Sequence, residues 1–500
     1  MLYKNLLYIT LIFVCAAKNI SFAKEINNAD LKLSAKDAPA QGCEDKSEQN
    51  FAQRFYQTYK EHLNYSGKNP PPLKHDEDTI AASMDSPPMP FSSANIGGIP
   101  PFGYADGTVS PLMDTIYCGK NGQKIKDSRI KLYGWIEPGF NVSNASSHHD
   151  ISEGRGGNYP ASFYHYPNQL MLNQAVLTLE RLPDTLQKDH IDYGFRVLGI
   201  YGSDYKYTIA NNLLSNSYLK DHKKYDFNPA FFYGDIYIPY IAKGLNIRTG
   251  HYISIPDIET QLAPTNYTYS HSLTYSFVPF SHDGVVSTLK FNKNWMAQFE
   301  ISAGSDVSAL DTKNRKFTPG GCVSYTTDSG NDNFYPCING INNGRYAYNN
   351  VQDLVATWYH KFNEKWHTYT QGYYMWQKSV PSVSDPNAPP TINGSNGAYC
   401  RNGDATCRAD AFAGLNYLVY KFHPKDFITF RNEFLKDTQG QRSGYKTLYT
   451  SHLISWSHWI GDVITIRPEL RFDHSYNAKA YDNGQKSNLY VFATDMIIHF

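Results

Sequence analysis

From residue 128 to the end of the chain, apolar and polar positions alternate. In RIKLYGWIEPGFNVS (129–143), Ile130, Leu132, Ile136, Phe140 and Val142 share one parity, and Arg129, Lys131, Glu137, Asn141 and Ser143 share the other. The stretch 463–473 sets Ile464, Ile466, Leu470 and Phe472 against Thr465, Arg467, Glu469, Arg471 and Asp473. Successive side chains of a strand point to opposite faces, so each such segment reads as a strand with one greasy and one charged face. Similar segments begin near 168, 190, 230, 244, 270, 283, 294, 352, 365, 410, 426, 447 and 487. Most are roughly ten to fifteen residues long, beyond the ~5–6 of soluble strands; a tilted strand needs ~9–11 to cross a bilayer.

The connections divide into two kinds. Asn292-Lys293-Asn294, Asn363-Glu364-Lys365 and His423-Pro424-Lys425 are tight turns, whereas 144–167, 203–229, 305–350, 378–409 and 475–486 are long and rich in Gly, Asn, Ser and Asp. Short turns at one end and long loops at the other mark an outer-membrane barrel. Tyr and Trp recur near the strand ends, at Tyr133, Trp135, Tyr233, Tyr237, Trp295, Trp358, Trp366, Trp376, Trp456 and Trp459, as a headgroup-level belt requires. An open sheet edge in lipid would leave backbone groups unpaired, so the sheet must close. The reading is an all-β, antiparallel transmembrane barrel of about 14–16 strands, the number in bacterial barrels being even.

The first 127 residues are different. MLYKNLLYITLIFVCAAKNISFAKE has a basic start, a short apolar run and small residues before Lys24, the pattern of a signal peptide over 1–23. Residues 24–127 then form an N-terminal periplasmic region. Phe51, Phe55, Tyr59 and Leu63 are spaced four apart and predict a helix over 47–63. Pro70-Pro71-Pro72, Pro87-Pro88, Pro90 and Pro100-Pro101 make the rest an irregular tether or a partial plug. The barrel occupies 128–500.

Composition narrows the partners. Lys+Arg and Asp+Glu both number 46, a balance that lacks the basic excess of a nucleic-acid binder. Charged residues are 18% and aromatics 15%, with 40 Tyr, and mean hydropathy is −0.51. No apolar run reaches the ~18 residues of a membrane helix.

Cys15 leaves with the signal peptide, and Cys43, Cys118, Cys322, Cys337, Cys400 and Cys407 remain. In an exported chain an even set points to disulfides. Cys322–Cys337 and Cys400–Cys407 are near in sequence, each in a Gly/Asn-rich loop, which leaves Cys43 with Cys118. Zinc is the rival reading, but no Cys-x-x-Cys or His-x-x-x-His spacing supports it. Ser147-His148-His149-Asp150 is better explained as solvated loop than as a metal site.

The chain ends in SNLYVFATDMIIHF, an alternating strand closed by Phe500. A terminal aromatic there resembles the signal read by the barrel assembly machinery. Five further segments carry a wider resemblance: SRIKLYGWIEPGFNVS (128–143), DYGFRVLGIYGSDYKYT (192–208), GHYISIPDIETQLAPTNYTYSHSL (250–273), CINGINNGR (337–345) and AKAYDNG (478–484). They resemble the putative β-barrel porin-2, OmpL-like family of bacterial outer membranes, over roughly residues 85 to 500. That resemblance implies a porin-like barrel, and brings neither a substrate nor site residues with it.

A barrel of about 16 strands is too wide for wall side chains to fill and leaves an aqueous channel. Arg129, Lys131, Arg196, Arg248, Arg431, Arg467 and Arg471 would line it together with Glu137, Asp192, Asp235, Glu300, Glu433, Glu469, Asp473 and Asp495. Such a mixed wall predicts weak ion selectivity, unless the charges pair across strands and only keep the wall polar. Residues 253–269 (ISIPDIETQLAPTNYTY) are too apolar and Pro-punctuated for a solvated loop. An inward fold over 253–279 would make the strand number even and set Asp257 and Glu259 at a constriction. No Gly-x-Ser-x-Gly elbow or HExxH is present, so neither catalysis nor a cofactor is expected. The expected role is passive diffusion of small hydrophilic solutes through the outer membrane. The rival is an adhesin acting through the long loops. A porin-like homo-oligomer would need a flat outer face of small residues, and none stands out in the sequence.

Overall fold

In the computed structural model every alternating segment but one becomes a strand. The structure describes residues 43, 46, 48–66, 76–78, 108–146, 156–161, 163–214, 224–342, 351–384, 397–401 and 403–500. Residues 1–23, the His148-His149 loop and most of the Pro-rich stretch lie outside these. The strands are β1 (Ile130–Ser143), β2 (Gln169–Arg181), β3 (Asp192–Gly202), β4 (Asp226–Ile238), β5 (Leu245–Ile253), β6 (Ser281–Lys290), β7 (Trp295–Ser302), β8 (Thr318–Thr326) and β9 (Asp332–Asn339). They continue with β10 (Gln352–Lys361), β11 (Trp366–Pro381), β12 (Thr406–His423), β13 (Asp426–Asp437), β14 (Thr447–Ile460), β15 (Ile464–Ile466), β16 (Glu469–Ser475) and β17 (Asn488–His499).

Each strand pairs antiparallel with its neighbours in sequence, and β1 pairs with β17 from Trp135↔His499 to Ser143↔Val491, closing the sheet. β15 and β16 both lie between β14 and β17 and are halves of one span, interrupted at Arg467-Pro468. Proline cannot donate to a ladder, which explains the break. The 17 strands therefore make sixteen spans, at the upper end of the expected range.

Two expectations fail, and their errors nearly cancel in the count. The segment near 270 is not a strand: 254–280 holds only short 3-10 turns at Ala263–Thr265 and Tyr275–Phe277. The expected loop 305–350 contains β8 and β9. Pro319, Gly321 and Pro336 dilute their apolar parity, leaving Val323, Tyr325, Phe334 and Ile338 to face outward. Cys322 and Cys337 stand opposite each other in this hairpin and are bonded, so that disulfide belongs to the wall and not to a loop. Cys400–Cys407 is also bonded, and Cys43 and Cys118 each carry a disulfide.

Outward positions are apolar, as lipid demands: Leu170, Leu177, Phe227, Ile236, Phe299, Leu354, Phe434 and Leu470 are all exposed. Trp358 and Trp456 sit at the short-turn end, each donating from Nε1 to an aspartate, Asp332 at 3.0 Å and Asp426 at 3.1 Å. Those aspartates also hold His360 and His458, both at 2.7 Å. The aromatic belt is thinner than expected, because Trp135, Tyr233, Tyr237 and Trp459 are buried on inward positions.

Ahead of the barrel, helix α1 spans Phe51–Leu63, starting later than the expected residue 47. Asn50 accepts from the Gln53 amide and Gln53 reaches back to the Asn50 amide, a capping box that fixes the start. Two short helices stand where irregular chain was expected, α2 (Pro111–Tyr117), with Ser110 as N-cap, and α3 (Gly122–Ser128). The helices and barrel together form one compact unit, Gln49–Phe500.

Candidate functional site

The inward parity of most strands carries polar and charged residues, β12 being the exception with Ala411, Ala413, Leu415 and Val419, and inside the barrel it meets other parts of the same chain. The connection from β5 to β6, residues 254–280, does not rise into solvent; it turns into the lumen, and every residue of it is buried or half-buried. It touches walls far apart in the sheet. Tyr269 Oη accepts from Asn173 of β2 at 2.8 Å, and Gln174 donates to the Gln261 carbonyl at 2.7 Å. Asn339 of β9 donates to Ser254 Oγ at 3.0 Å. On the far side the Ile258 amide donates to Gln371 of β11 at 2.9 Å, and Tyr267 meets His367 at 3.0 Å. The loop thus crosses the barrel rather than lying along one wall.

Three guanidinium groups hold it there. Arg467 donates from Nη1 to the carbonyls of Ala263, at 3.0 Å, and Asn266, at 2.8 Å. Arg471 donates to the His271 carbonyl at 2.8 Å, and Arg431 to Thr268 Oγ1 at 3.1 Å and to the Ser270 carbonyl. Glu469 and Glu433 accept from the amides of Ser270 and Thr274, at 3.1 and 2.9 Å. A loop turned away from water must find partners for its backbone, and the charged faces of β13 and β16 supply them.

Two other loops thicken this layer. Residues 156–166 and 203–210 are buried wherever described, and Phe163 stacks on Tyr207 at 4.0 Å and on His271 at 3.5 Å between ring centroids. Tyr159, Tyr164, Tyr166, Tyr205, Tyr207, Tyr267, Tyr269 and Tyr275 are all buried here. Much of the tyrosine excess therefore belongs to the lumen and not to the membrane interface. A phenol suits this place: its ring packs, and several hydroxyls find partners, Tyr269 with Asn173, Tyr267 with His367, Tyr207 with His165 and Tyr159 with the Arg442 carbonyl.

The wall residues named from sequence fall as follows. Glu137, Arg248, Asp235, Glu300, Arg431, Glu433, Arg467, Glu469, Arg471, Asp473 and Asp495 point inward and are buried, and Arg196 is half-buried. Most pair at once with a wall neighbour. Arg248 and Asp235 face each other across β4 and β5 and join by two bonds, of 2.9 and 3.1 Å. Arg196 meets Glu180 at 2.6 Å, Arg467 holds Asp495, Arg471 meets Asp473 at 2.7 Å, and His282 meets Glu300 at 2.7 Å. Arg129 and Asp192 pair at 2.8 Å, but at the short-turn rim: Arg129 is the left-handed cap of α3, with φ 59°, not a strand residue. Lys131 is half-buried near the start of β1.

Asp257 and Glu259 lie in the inward loop and face β11 and β12. Asp257 accepts from Gln371, and Glu259 accepts from the Ser272 amide at 3.0 Å and from the Tyr417 hydroxyl. Burial first, then the nearby Asp353 carboxylate, pushes the Asp257 carboxyl well above the usual range. Burial also raises Glu259, against the pull of Arg431. Sequence reasoning missed Glu180, Gln174, Gln371 and the aromatic floor of Phe163, Tyr207, Tyr267 and His271. The tyrosine density of YPASFYHYP (159–167) and TNYTYSHSLTYSF (265–277) was the available signal. Among the described residues no cluster of His, Cys, Asp and Glu is arranged to hold a metal.

A closed sixteen-span barrel with a polar interior crossed by its third long loop defines a porin-like outer-membrane protein. Residues 129–500 match the family described as "Putative beta-barrel porin-2, OmpL-like", and the chain belongs to it. No curated protein matches the sequence. Among solved structures, the outer membrane channel DcaP of Acinetobacter baumannii is 10% identical, with TM-score 0.48, over 74% of this chain and 97% of that one. The anion-selective porin from Comamonas acidovorans is 8% identical, with TM-score 0.48, over 74% and 99%. The trimer form of OmpT from Vibrio cholerae is 11% identical, with TM-score 0.44, over 74% and 99%.

Proposed function

We propose that the protein is a narrow outer-membrane channel through which ions and small hydrophilic solutes diffuse passively. The observation that carries this reading is the clasp between Arg431, Arg467 and Arg471 and the carbonyls of 263–271, which fixes a constriction inside a polar barrel. Solutes pass beside the loop, along walls where most arginines are held by carboxylates, as Arg248 is by Asp235 and Arg467 by Asp495 and Glu137. A wall without a dominant sign gives weak ion selectivity, and width becomes the main filter. Hydroxyl and amide groups of Tyr, Asn, Gln and Ser replace part of a solute's hydration on the way through. Catalysis has no part in this function. Export through a cleaved signal peptide and delivery by the assembly machinery complete the picture.

Single-channel recording of the refolded mature protein, in KCl and then in salts of unequal ion size, tests it. Stable steps that scale with salt concentration are expected, and they should be small for a barrel of sixteen spans. Silence from a correctly folded, heat-modifiable barrel overturns the channel and moves the adhesin reading forward. Deleting loop residues 382–405 then separates the two, since an adhesin loses binding while the barrel stays intact.

A further inference from the structure

On the outer wall, at the long-loop end, β11, β12 and β13 border a groove of about 590 Å3. Its lower edge is aromatic: the rings of Tyr374 and Phe412, both on outward positions, stand 4.8 Å apart. Its upper part gathers Arg401, Arg408, Lys436 and Lys446 against Asp404 and Asp410. Arg408 is already engaged, donating to Asp410 at 2.8 Å and to the Tyr374 hydroxyl. The other three are not. Lys436 reaches only Asn477 Oδ1, at 3.5 Å, the outer limit of a hydrogen bond. Arg401 and Lys446 are exposed, and none of the three forms an ion pair with a carboxylate among the described residues.

The wall beneath this cluster is shallow at Gly372. Gly372 and Gly414 face each other in register on the outward parity, below Tyr374 and Phe412, and the Phe434 ring covers Gly414 but leaves Gly372 open. A Cβ at Gly372 would meet nothing nearer than the Ala413 carbonyl, at 3.8 Å. From loop to membrane the order is therefore cations, aromatic rings and a trough in an apolar wall. Aromatic rings settle at headgroup level, which places the cations just outside it.

We propose that this groove binds the phosphate-bearing headgroup of an outer-leaflet lipid, with Arg401, Lys436 and Lys446 around the phosphate and an acyl chain along Gly372. Arg401, Lys436 and Lys446 outnumber Asp404, the one groove carboxylate outside the Arg408–Asp410 pair, and that positive excess suits a phosphate monoester, which carries nearly two negative charges at neutral pH. Charge-assisted bonds from Arg and Lys to phosphate oxygens are the strong kind. The trough beneath selects an amphiphile over a free anion.

Native mass spectrometry of the refolded full-length protein in detergent, titrated with diphosphoryl lipid A, tests the site. The wild type should retain lipid A, while fully dephosphorylated lipid A and the R401A/K436A/K446A variant should each bind at least 10-fold more weakly. The same three substitutions at Lys313, Arg315 and Lys316, on another long loop, should change nothing. Equal retention by R401A/K436A/K446A and wild type, with both showing the heat-modifiable band of a folded barrel, overturns the proposal. Inorganic phosphate provides the second arm. Lipid A that millimolar phosphate fails to displace supports a lipid headgroup; displacement by phosphate at matched concentration shows a free-anion site and overturns the lipid assignment.

Discussion

Nη1 of Arg471 donates to the carbonyl of His271 at 2.8 Å, tying a wall strand to the middle of the loop that crosses the lumen. The same side chain uses Nε on Asp473 at 2.7 Å, so wall charge and loop position are one network. Truncating one member of a buried ionic network costs about 3–5 kcal/mol, because the partner stays buried without its counter-charge. Arg471→Ala should therefore lower the temperature at which the folded band is lost. It should also loosen the loop, giving larger and noisier conductance steps in a planar bilayer. Steps identical to wild type would show that the loop does not limit the bore.

The carboxyls of Asp257 and Glu259 yield a signed pH prediction. Burial raises both, so the charged fraction grows as pH rises above the ordinary carboxylate range. Cation preference, read as reversal potential across a KCl gradient, should increase from pH 5 to pH 8 in the wild type. Asp257→Asn with Glu259→Gln should shift the potential toward anions and flatten that dependence. An unmoved potential removes both residues from the path.

At the short-turn end, His62 of α1 lies between Asp462, at 2.9 Å from Nδ1, and Asp114, at 3.0 Å from Nε2. Burial alone would lower its pKa, but the hydrogen bonds to Asp114 and Asp462 outweigh it and carry the imidazole from 6.5 up to about 9. A raised folded-state pKa means that the stabilisation is complete below about 6.5 and lost as pH climbs through about 9. The contact is close: Gly461 has φ +67°, and a Cβ there would come within 2.0 Å of the His62 carbonyl oxygen. Amide exchange in Phe51–Leu63 should be slow at pH 6 and, after correction for intrinsic rates, clearly faster at pH 10. His62→Ala should be fast at both, and a wild-type profile independent of pH would refute the clasp.

The fold was legible because lipid enforces one rule along every strand. Outward residues are mostly apolar, with exceptions such as Asn432 and His452, so parity alone located most spans, and even the break at Arg467-Pro468 keeps the phase of Ile466 and Leu470. β8 and β9 escaped because Pro319, Gly321 and Pro336 occupy outward positions without adding apolar bulk. The inward loop was legible from its composition, too apolar and too rich in proline for water. Its partners were not. Parity says that Arg431, Arg467 and Arg471 point inward, but which carbonyl each one meets depends on how 254–280 crosses the barrel, and alternation carries no trace of that. The tyrosines show the same limit: a ring at a strand end serves a membrane belt or a packed lumen equally well, and parity tells the two apart only once each strand's register is fixed.

The closure seam joins two residues whose roles separate by experiment. Phe500 and Gly134 exchange backbone hydrogen bonds, Phe500 N to Gly134 O at 3.0 Å and Gly134 N to Phe500 O at 3.2 Å. The terminal ring covers the glycine, and a Cβ at 134 would fall 2.7 Å from Phe500 Cζ and 2.0 Å from the Val176 carbonyl oxygen. The second of these is backbone and cannot swing aside, so Gly134→Ala strains the β1–β2 pairing whatever stands at 500. Overpacking of this kind costs about 1–3 kcal/mol. Gly134→Ala should lower the yield of folded barrel both in detergent refolding and in cells, and adding Phe500→Ala should restore only part of it. Phe500→Ala alone should refold in detergent to nearly wild-type yield yet accumulate poorly in the outer membrane, if its main role is recognition during assembly. Equal losses in both settings would assign Phe500 to packing at the seam and not to recognition.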